Sequence, residues 1–546
     1  MELMVPADSL IYEYSCVYRR LKERLVLSNN FEDLNYLIEK ISALAWYAWQ
    51  YHPGIYADPE LERKLLDISW AMFGGRENIL FLSSFPKFAL PIPTNKRRVL
   101  HVASSVSHIG GHTRLINNLV KKDTSSCHSL VLTRQKGNIV PEWLVESIES
   151  SGGVVYCVPQ EPPCINASLL RHIAEKYADI VFLHIHPDDA TPLVALAANP
   201  VKPLVFVNHA DHVFSLGTGL VNTVACIRPW AAEFSLNRRM AEKINLLPIP
   251  LEFRAEDAPS REEARHTLGI ADESVVILTV ASAYKLIPDG KYNYFKIIKK
   301  LVDENKNVLV KIIGVMPKDS QVIGCIPDSR IELLGVVESP ILYYKAADIY
   351  LDSMPYPSFT SLLEAVYYGA YPVLQYAPAD KLKIADDPGI HGLVRHANDE
   401  LELFDTINHA INDQKMRREV AKNIVESIKS NHVESGWNAY LNKIYHEQIS
   451  SSVPVNRANI STEVKYLFDS DDLESVSAPN LFLLNKDTHV VDFLYSYSRL
   501  LSLRDLMLSY RSILSCLPNL KFGRALRNFL GLLFSKIRNG SRYKFF

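Results

Sequence analysis

Three hydroxyl residues and a carboxylate, Ser358, Thr360, Ser361 and Glu364, fall where an apolar run, IYLDS, passes through a Pro-Tyr-Pro loop into SLLEAVYYG. Small hydroxyls at a helix start cap its free N–H groups, and those N–H groups with the helix dipole favour a bound anion. Glu364 lies about one turn further in, beside whatever anion sits at the cap. The set predicts a site for a nucleotide diphosphate, with oxygens at the cap and a ribose on the carboxylate. Asp352, at the strand end, is expected to cap the loop.

Other groups with chemistry lie upstream. VILTVASAYKLIPDGKYNYF reads as a strand followed by a loop carrying Lys285 and Lys291. A cation there neutralises charge on a departing diphosphate without needing a metal. In SSVSHIGGHTRL, Gly110 and Gly111 let the backbone approach a ligand closely. His112 follows at a helix start, with His108 and Arg114 as secondary candidates. Two further loops, HIHPDD and NHADH, follow apolar strands and carry His184, His186, Asp188, Asp189, His209, Asp211 and His212. Zinc or manganese can be held by such groups. The other readings are proton transfer or ligand contact by His209, Asp211 or His212, and purely structural hydrogen bonding.

These residues need elements to hold them. Residues 1–90 carry apolar positions at helical spacing, and Asp58-Pro59-Glu60 reads as a helix start. Within them Trp46, Tyr47, Trp49 and Tyr51 form an aromatic run, read chiefly as packing between helices and otherwise as an acceptor surface. The proline-rich FPKFALPIPTNKRR is a linker. From Arg98 onward short β-rich runs alternate with helices: VLHVAS, SLVLT, VVYCV, IVFLHI and LVFVNH, then a second series of VVILTVAS, VLVKIIG, IELLG, IYLDS and YPVLQ. The expected fold class is α/β, with two Rossmann-like domains facing a cleft, at 96–250 and 255–450, between an N-terminal helical region and a helical extension at 451–546.

Composition narrows the class. With 546 residues, 48% apolar, 22% charged and a net charge of −2, the chain reads as a multidomain globular protein with no general drive toward nucleic acid. Seven scattered cysteines suggest neither a disulfide framework nor a zinc site. The start, MELMVPADSLIYEY, shows no secretory signal, so a cytoplasmic location is expected.

Residues 98–450 resemble the GT-B glycosyltransferases, nearest to the family 4 type, with some similarity to the O-GlcNAc transferase type at ASAYKLIP. The block SFTSLLEAVYYGAYPV carries the resemblance most specifically. It implies a nucleotide-diphosphate sugar donor, UDP- or GDP-linked, with Glu364 on the ribose and Ser358, Thr360 and Ser361 at the diphosphate. It further implies Lys285, with Lys291, at the leaving group. Gly110 and Gly111 would form the loop at donor and acceptor, and His209 would contact the donor sugar. No bound metal and no cofactor beyond the donor are expected. Family 4 enzymes usually carry two glutamates with seven residues between them, and the earlier position here is Tyr356. Stereochemistry therefore stays open, and an inverting route would draw its base from His112, Asp211 or His212. The implied acceptor is a glycan, a lipid-linked sugar or a protein. The Tyr356 departure keeps a second reading, a non-catalytic sugar-nucleotide or glycan-binding module.

After Asp505 the chain has no acidic residue, while Arg511, Lys521, Arg524, Arg527, Lys536, Arg538, Arg542 and Lys544 alternate with apolar positions. Such a helix is either an interfacial anchor at the inner face of a membrane or a helix packed on the protein's own surface. GWNAYLNKIYHEQ has helical apolar spacing, and the resemblance implies that it is the last helix, which in GT-B folds crosses back to the first domain.

Overall fold

The computed structural model describes residues 10–449 except 28–32, 52, 75–94, 109, 136, 138, 199–201, 254–257, 289–292, 322, 326, 355, 376–389, 391 and 395. Lys291 and the basic extension 451–546 lie outside the described residues, as does most of the linker.

The first sheet has seven strands: β1 (Arg97–Ala103), β2 (Ser126–Leu132), β3 (Val155–Cys157), β4 (Ile180–His184), β5 (Leu204–Asn208), β6 (Thr223–Cys226) and β7 (Ile244–Leu246). They lie in the order β3-β2-β1-β4-β5-β6-β7, every neighbouring pair parallel. The second has five: β8 (Val275–Val280), β9 (Val308–Ile313), β10 (Ile331–Gly335), β11 (Ile349–Leu351) and β12 (Tyr371–Val373), in the order β10-β9-β8-β11-β12, again all parallel. Strands covered by helices on both faces must be apolar on both sides, and IVFLH and LVFVN are buried throughout. In each sheet the winding reverses beside its first strand, between β1 and β4 and between β8 and β11. Loops leaving the carboxyl ends of those strands diverge and open a crevice.

The N-terminal helices Leu10–Lys22, Leu34–Tyr51 and Pro59–Phe73 share one apolar core with a face of the first sheet, including Leu100, Val102, Val181, Leu183, Phe206 and Val224. Asp58 caps the third helix as its sequence predicts, accepting from the Glu60 and Leu61 N–H groups with Pro59 in the first turn. One turn on, Glu62 is fully buried and accepts from the N–H groups of Gly217 at 2.8 Å and Gly219 at 2.9 Å, pinning the loop that follows β5. Burial pushes its carboxyl up to about 8, against the pull of those N–H groups. A carboxyl raised in the folded state stabilises at low pH, and that contribution is lost as pH rises from about 4.5 toward 8, at about 1.4 kcal/mol per pH unit. Melting curves should therefore show wild type losing ground to Glu62→Gln as pH rises through that window. Parallel profiles would contradict this.

The helix Glu434–Ile449 closes the described chain by packing on the first domain, as the resemblance implied. Trp437 is fully buried and donates from Nε1 to the Pro248 carbonyl at 2.6 Å, and the Tyr445 hydroxyl donates to Asp123 at 2.7 Å. Among the described residues no helix is long and apolar enough to cross a membrane.

Candidate functional site

The second domain supplies one wall. Beyond β8 the chain tightens into a short helical turn, Ala283–Leu286, that carries Lys285. Beyond β11 it runs through Asp352 to the helix Phe359–Tyr367. These two loops flank the point where the winding reverses, and Lys285 joins them, donating to the Pro357 carbonyl at 2.8 Å and the Ser358 hydroxyl at 3.1 Å. Asp352, buried, caps the loop as expected, accepting from the N–H groups of Ser353 at 2.8 Å and Ser358 at 2.7 Å. Burial pushes its carboxyl up to about 7, opposed by those N–H groups and by Lys285. Burial also lowers Lys285, which Asp352 partly offsets.

Ser358 precedes the helix, but its hydroxyl makes no capping bond. It is held instead by Lys285 and by Ser353 at 2.9 Å. The first-turn N–H groups thus have no hydroxyl from Ser358 on them. Ser361 hydrogen-bonds Tyr344, whose hydroxyl also donates to Glu364 at 3.0 Å. Burial raises the Glu364 carboxyl, and the Arg114 guanidinium of the first domain pulls the other way. Tyr356 lies against Tyr284, ring centroids 6.0 Å apart, next to Lys285 in sequence.

The first domain supplies the facing wall. Gly110 takes φ 141°, a conformation side chains rarely adopt, and the helix Gly111–Lys122 begins directly after it. A Cβ on Gly111 would stand 3.8 Å from the Thr360 hydroxyl, so two helix N-termini from different domains meet across the crevice. His112 sits in the first turn, donating from Nε2 to the His184 carbonyl at 3.0 Å, and its ring lies 4.3 Å from that of His209. His209 in turn has Nδ1 on the Val207 carbonyl at 3.2 Å. Burial holds His112 well below the ordinary histidine value and His209 at about 4, so both are neutral near pH 7. His108 is exposed beside the glycines.

The remaining loop residues are brought to the same end of the sheet but are committed to one another. Asp211 is fully engaged by Arg228, which donates from Nε at 2.6 Å and from Nη2 at 3.0 Å, and this guanidinium holds the carboxylate far below its usual range despite burial. His212 rests 3.6 Å from the same carboxylate. The Arg228 guanidinium also lies over the Trp230 ring at 4.6 Å and over Phe359 of the second domain at 4.9 Å, so the pair reaches across the crevice. Asp188 and Asp189 are both paired with Arg134, and Asp189 also accepts from Ser104 at 2.6 Å.

His184 points into a different assembly. Its Nε2 lies 3.0 Å from His101 Nδ1, and His101 Nε2 lies 3.0 Å from His128 Nδ1. His128 Nε2 donates to the Asp123 carbonyl at 3.0 Å. All three rings are buried. Because a carbonyl only accepts, this end fixes the proton order of the neutral chain: each Nε2 donates and each Nδ1 accepts. The chain ends on His184 Nδ1, which has no partner among the described residues. Among the described residues, no group of three or more His, Cys, Asp or Glu is arranged to hold a metal ion. Sequence reading did not find Arg134, Arg228, Tyr344, His101 or His128. Only folding brings them to partners far along the chain.

No protein-family model matches the chain. A curated relative, "Putative glycosyltransferase EpsF" of Bacillus subtilis (strain 168), is 28% identical over 218 residues. That match covers 35% of this chain and 56% of the relative, so the chain spans little more than half of the relative's length. Among solved structures, Anabaena HepE in complex with UDP aligns over 65% of this chain and all of its own, with 15% identity and a TM-score of 0.50. A glycosyltransferase from Rickettsia africae aligns over 66% of this chain and all of its own, with 13% identity and a TM-score of 0.50. At such identities the likeness is one of fold, and the two parallel-sheet domains are the GT-B arrangement expected from the sequence.

Proposed function

We propose that this chain is a glycosyltransferase that moves a sugar from a nucleotide-diphosphate donor to a glycan, lipid-linked or protein acceptor, with protein groups neutralising the departing diphosphate. One observation carries the reading: the N-termini of helices Gly111–Lys122 and Phe359–Tyr367 meet across the crevice, with Lys285 lining the loop beside the second. Each helix end presents unpaired N–H groups and roughly half a positive charge. Two such ends and a half-buried lysine suit a diphosphate better than any neutral ligand.

In this reading the backbone ahead of Thr360 and Ser361 receives the diphosphate, and Ser358 acts by holding Lys285 in place. Lys285, with Lys291 six residues on in the sequence, stabilises charge as the sugar–phosphate bond breaks. Glu364, steadied by Tyr344, takes the ribose hydroxyls. Gly110 and Gly111 keep the facing backbone close, and His209 contacts the donor sugar. For acceptor activation we assign His112, whose Nε2–H is used on the His184 carbonyl, leaving the lone pair on Nδ1. Asp211 is a weaker base, because Arg228 occupies both its oxygens, and His212 leans on the same carboxylate. The UDP bound by HepE supports a uridine donor.

A thermal-shift panel with UDP, GDP, CMP and dTDP tests this. UDP at about 100 times its Kd is expected to stabilise wild type by about 2.7 kcal/mol, and Glu364→Ala should lose most of the shift. Absence of a shift with every nucleotide would remove the donor site from the account.

A further inference from the structure

Of the aromatic run in helix Leu34–Tyr51, Tyr47 and Tyr51 are buried and Trp46 packs against the core, but Trp49 does neither. It stays partly exposed, and its indole lies 6.3 Å from the ring of His186, two residues beyond the end of β4. The His186 ring is 6.4 Å from that of His112, which lies 4.3 Å from the His209 ring. A row of four rings thus runs from the N-terminal helices to the residues beside the opposed helix ends.

The placement of Trp49 is fixed. Ser42 stands seven residues earlier on the same helix, two turns away and on the same face. Its hydroxyl accepts from Arg134 at 3.2 Å, and Arg134 is clamped to Asp188 at 2.7 Å. Both ends of this face are therefore tied to loops at the carboxyl edge of the first sheet.

We infer that Trp49 is the platform for a pyranose ring of the acceptor, so that the acceptor presents a sugar at this position; the inference rests on the transferase reading above. An indole offers a flat apolar face to the C–H face of a pyranose, while the polar groups around it meet the hydroxyl edge. Two such groups are present, the Ser105 hydroxyl and His186 Nε2, 3.4 Å apart. A polyprenyl chain would need a broad apolar groove here, and Trp49 is the one large apolar group in this row of otherwise polar residues.

The test uses the full chain saturated with UDP and a panel of methyl glycosides of glucose, galactose and N-acetylglucosamine, read by saturation-transfer NMR. At least one glycoside should bind wild type, Trp49→Ala should weaken it at least tenfold, and Trp49→Phe should stay within about threefold. The UDP-induced melting shift should be the same in all three proteins, which a merely structural role for Trp49 would not give. Equal binding to Trp49→Ala overturns the inference, and so does absence of binding by every glycoside while the UDP shift persists. Absence of the UDP shift in wild type would instead overturn the transferase reading, and the acceptor role of Trp49 with it.

Discussion

Replacing Lys285 by alanine is expected to lower sugar transfer by about two to three orders of magnitude, equivalent to roughly 3–4 kcal/mol of transition-state stabilisation, the scale of losing one preorganised donor. The expectation comes from where the ammonium sits. It bridges the loops after β8 and β11 by bonds to Pro357 and Ser358, at the point where the second sheet reverses its winding. It is half-buried, so its charge is poorly screened where charge develops on a leaving diphosphate. Its neighbour Asp352 is anchored by two backbone N–H groups of its own, so the loop keeps its shape without the lysine. Donor binding should weaken far less than turnover falls. A Lys285→Ala protein that turns over within about threefold of wild type would remove the lysine from the chemistry.

The second large effect is on stability. Arg228→Leu is expected to cost about 3–5 kcal/mol, because it leaves the Asp211 carboxylate buried without its cation. The loss should exceed that of Asp211→Asn, and the double variant should recover much of it, since removing both charges removes the desolvation penalty. Denaturant unfolding of the three variants measures this directly. Equal, additive losses would mean the pair is not coupled. Arg228 also lies over Phe359, so the same variant should loosen the contact between the two domains.

Much of the scaffold was legible because parallel strands covered on both faces have to be written as apolar runs, and runs such as VILTV and LVFVN have no other comfortable place in a fold. Two strands went unread, β6 and β7. That the hydroxyls and the glutamate lie together was legible for a related reason: they follow one another along a single strand–loop–helix, so local sequence alone groups them. What sequence could not spell is pairing. Asp211 and Arg228, or Arg134 and Asp188, are separated in the chain and meet because the loops carrying them leave the same edge of the first sheet, while His101 meets His128 and His184 because β1 lies between β2 and β4. The histidines inside β1, β2 and β4 are the clearest case, since a polar residue in a buried strand must find a partner and nothing local says which. Likewise the aromatic run at 46–51 gave no hint that Trp49 alone would stay at the crevice while its neighbours packed inward.

The most direct test of the central claim follows UDP-glucose by phosphorus NMR in the presence of the purified full-length chain, wild type and Lys285→Ala side by side. Wild type is expected to release UDP, slowly to water and faster with an added glycoside acceptor, and the variant to release almost none while still showing a melting shift with UDP. UDP release at the same rate from both proteins, or from neither, would contradict it.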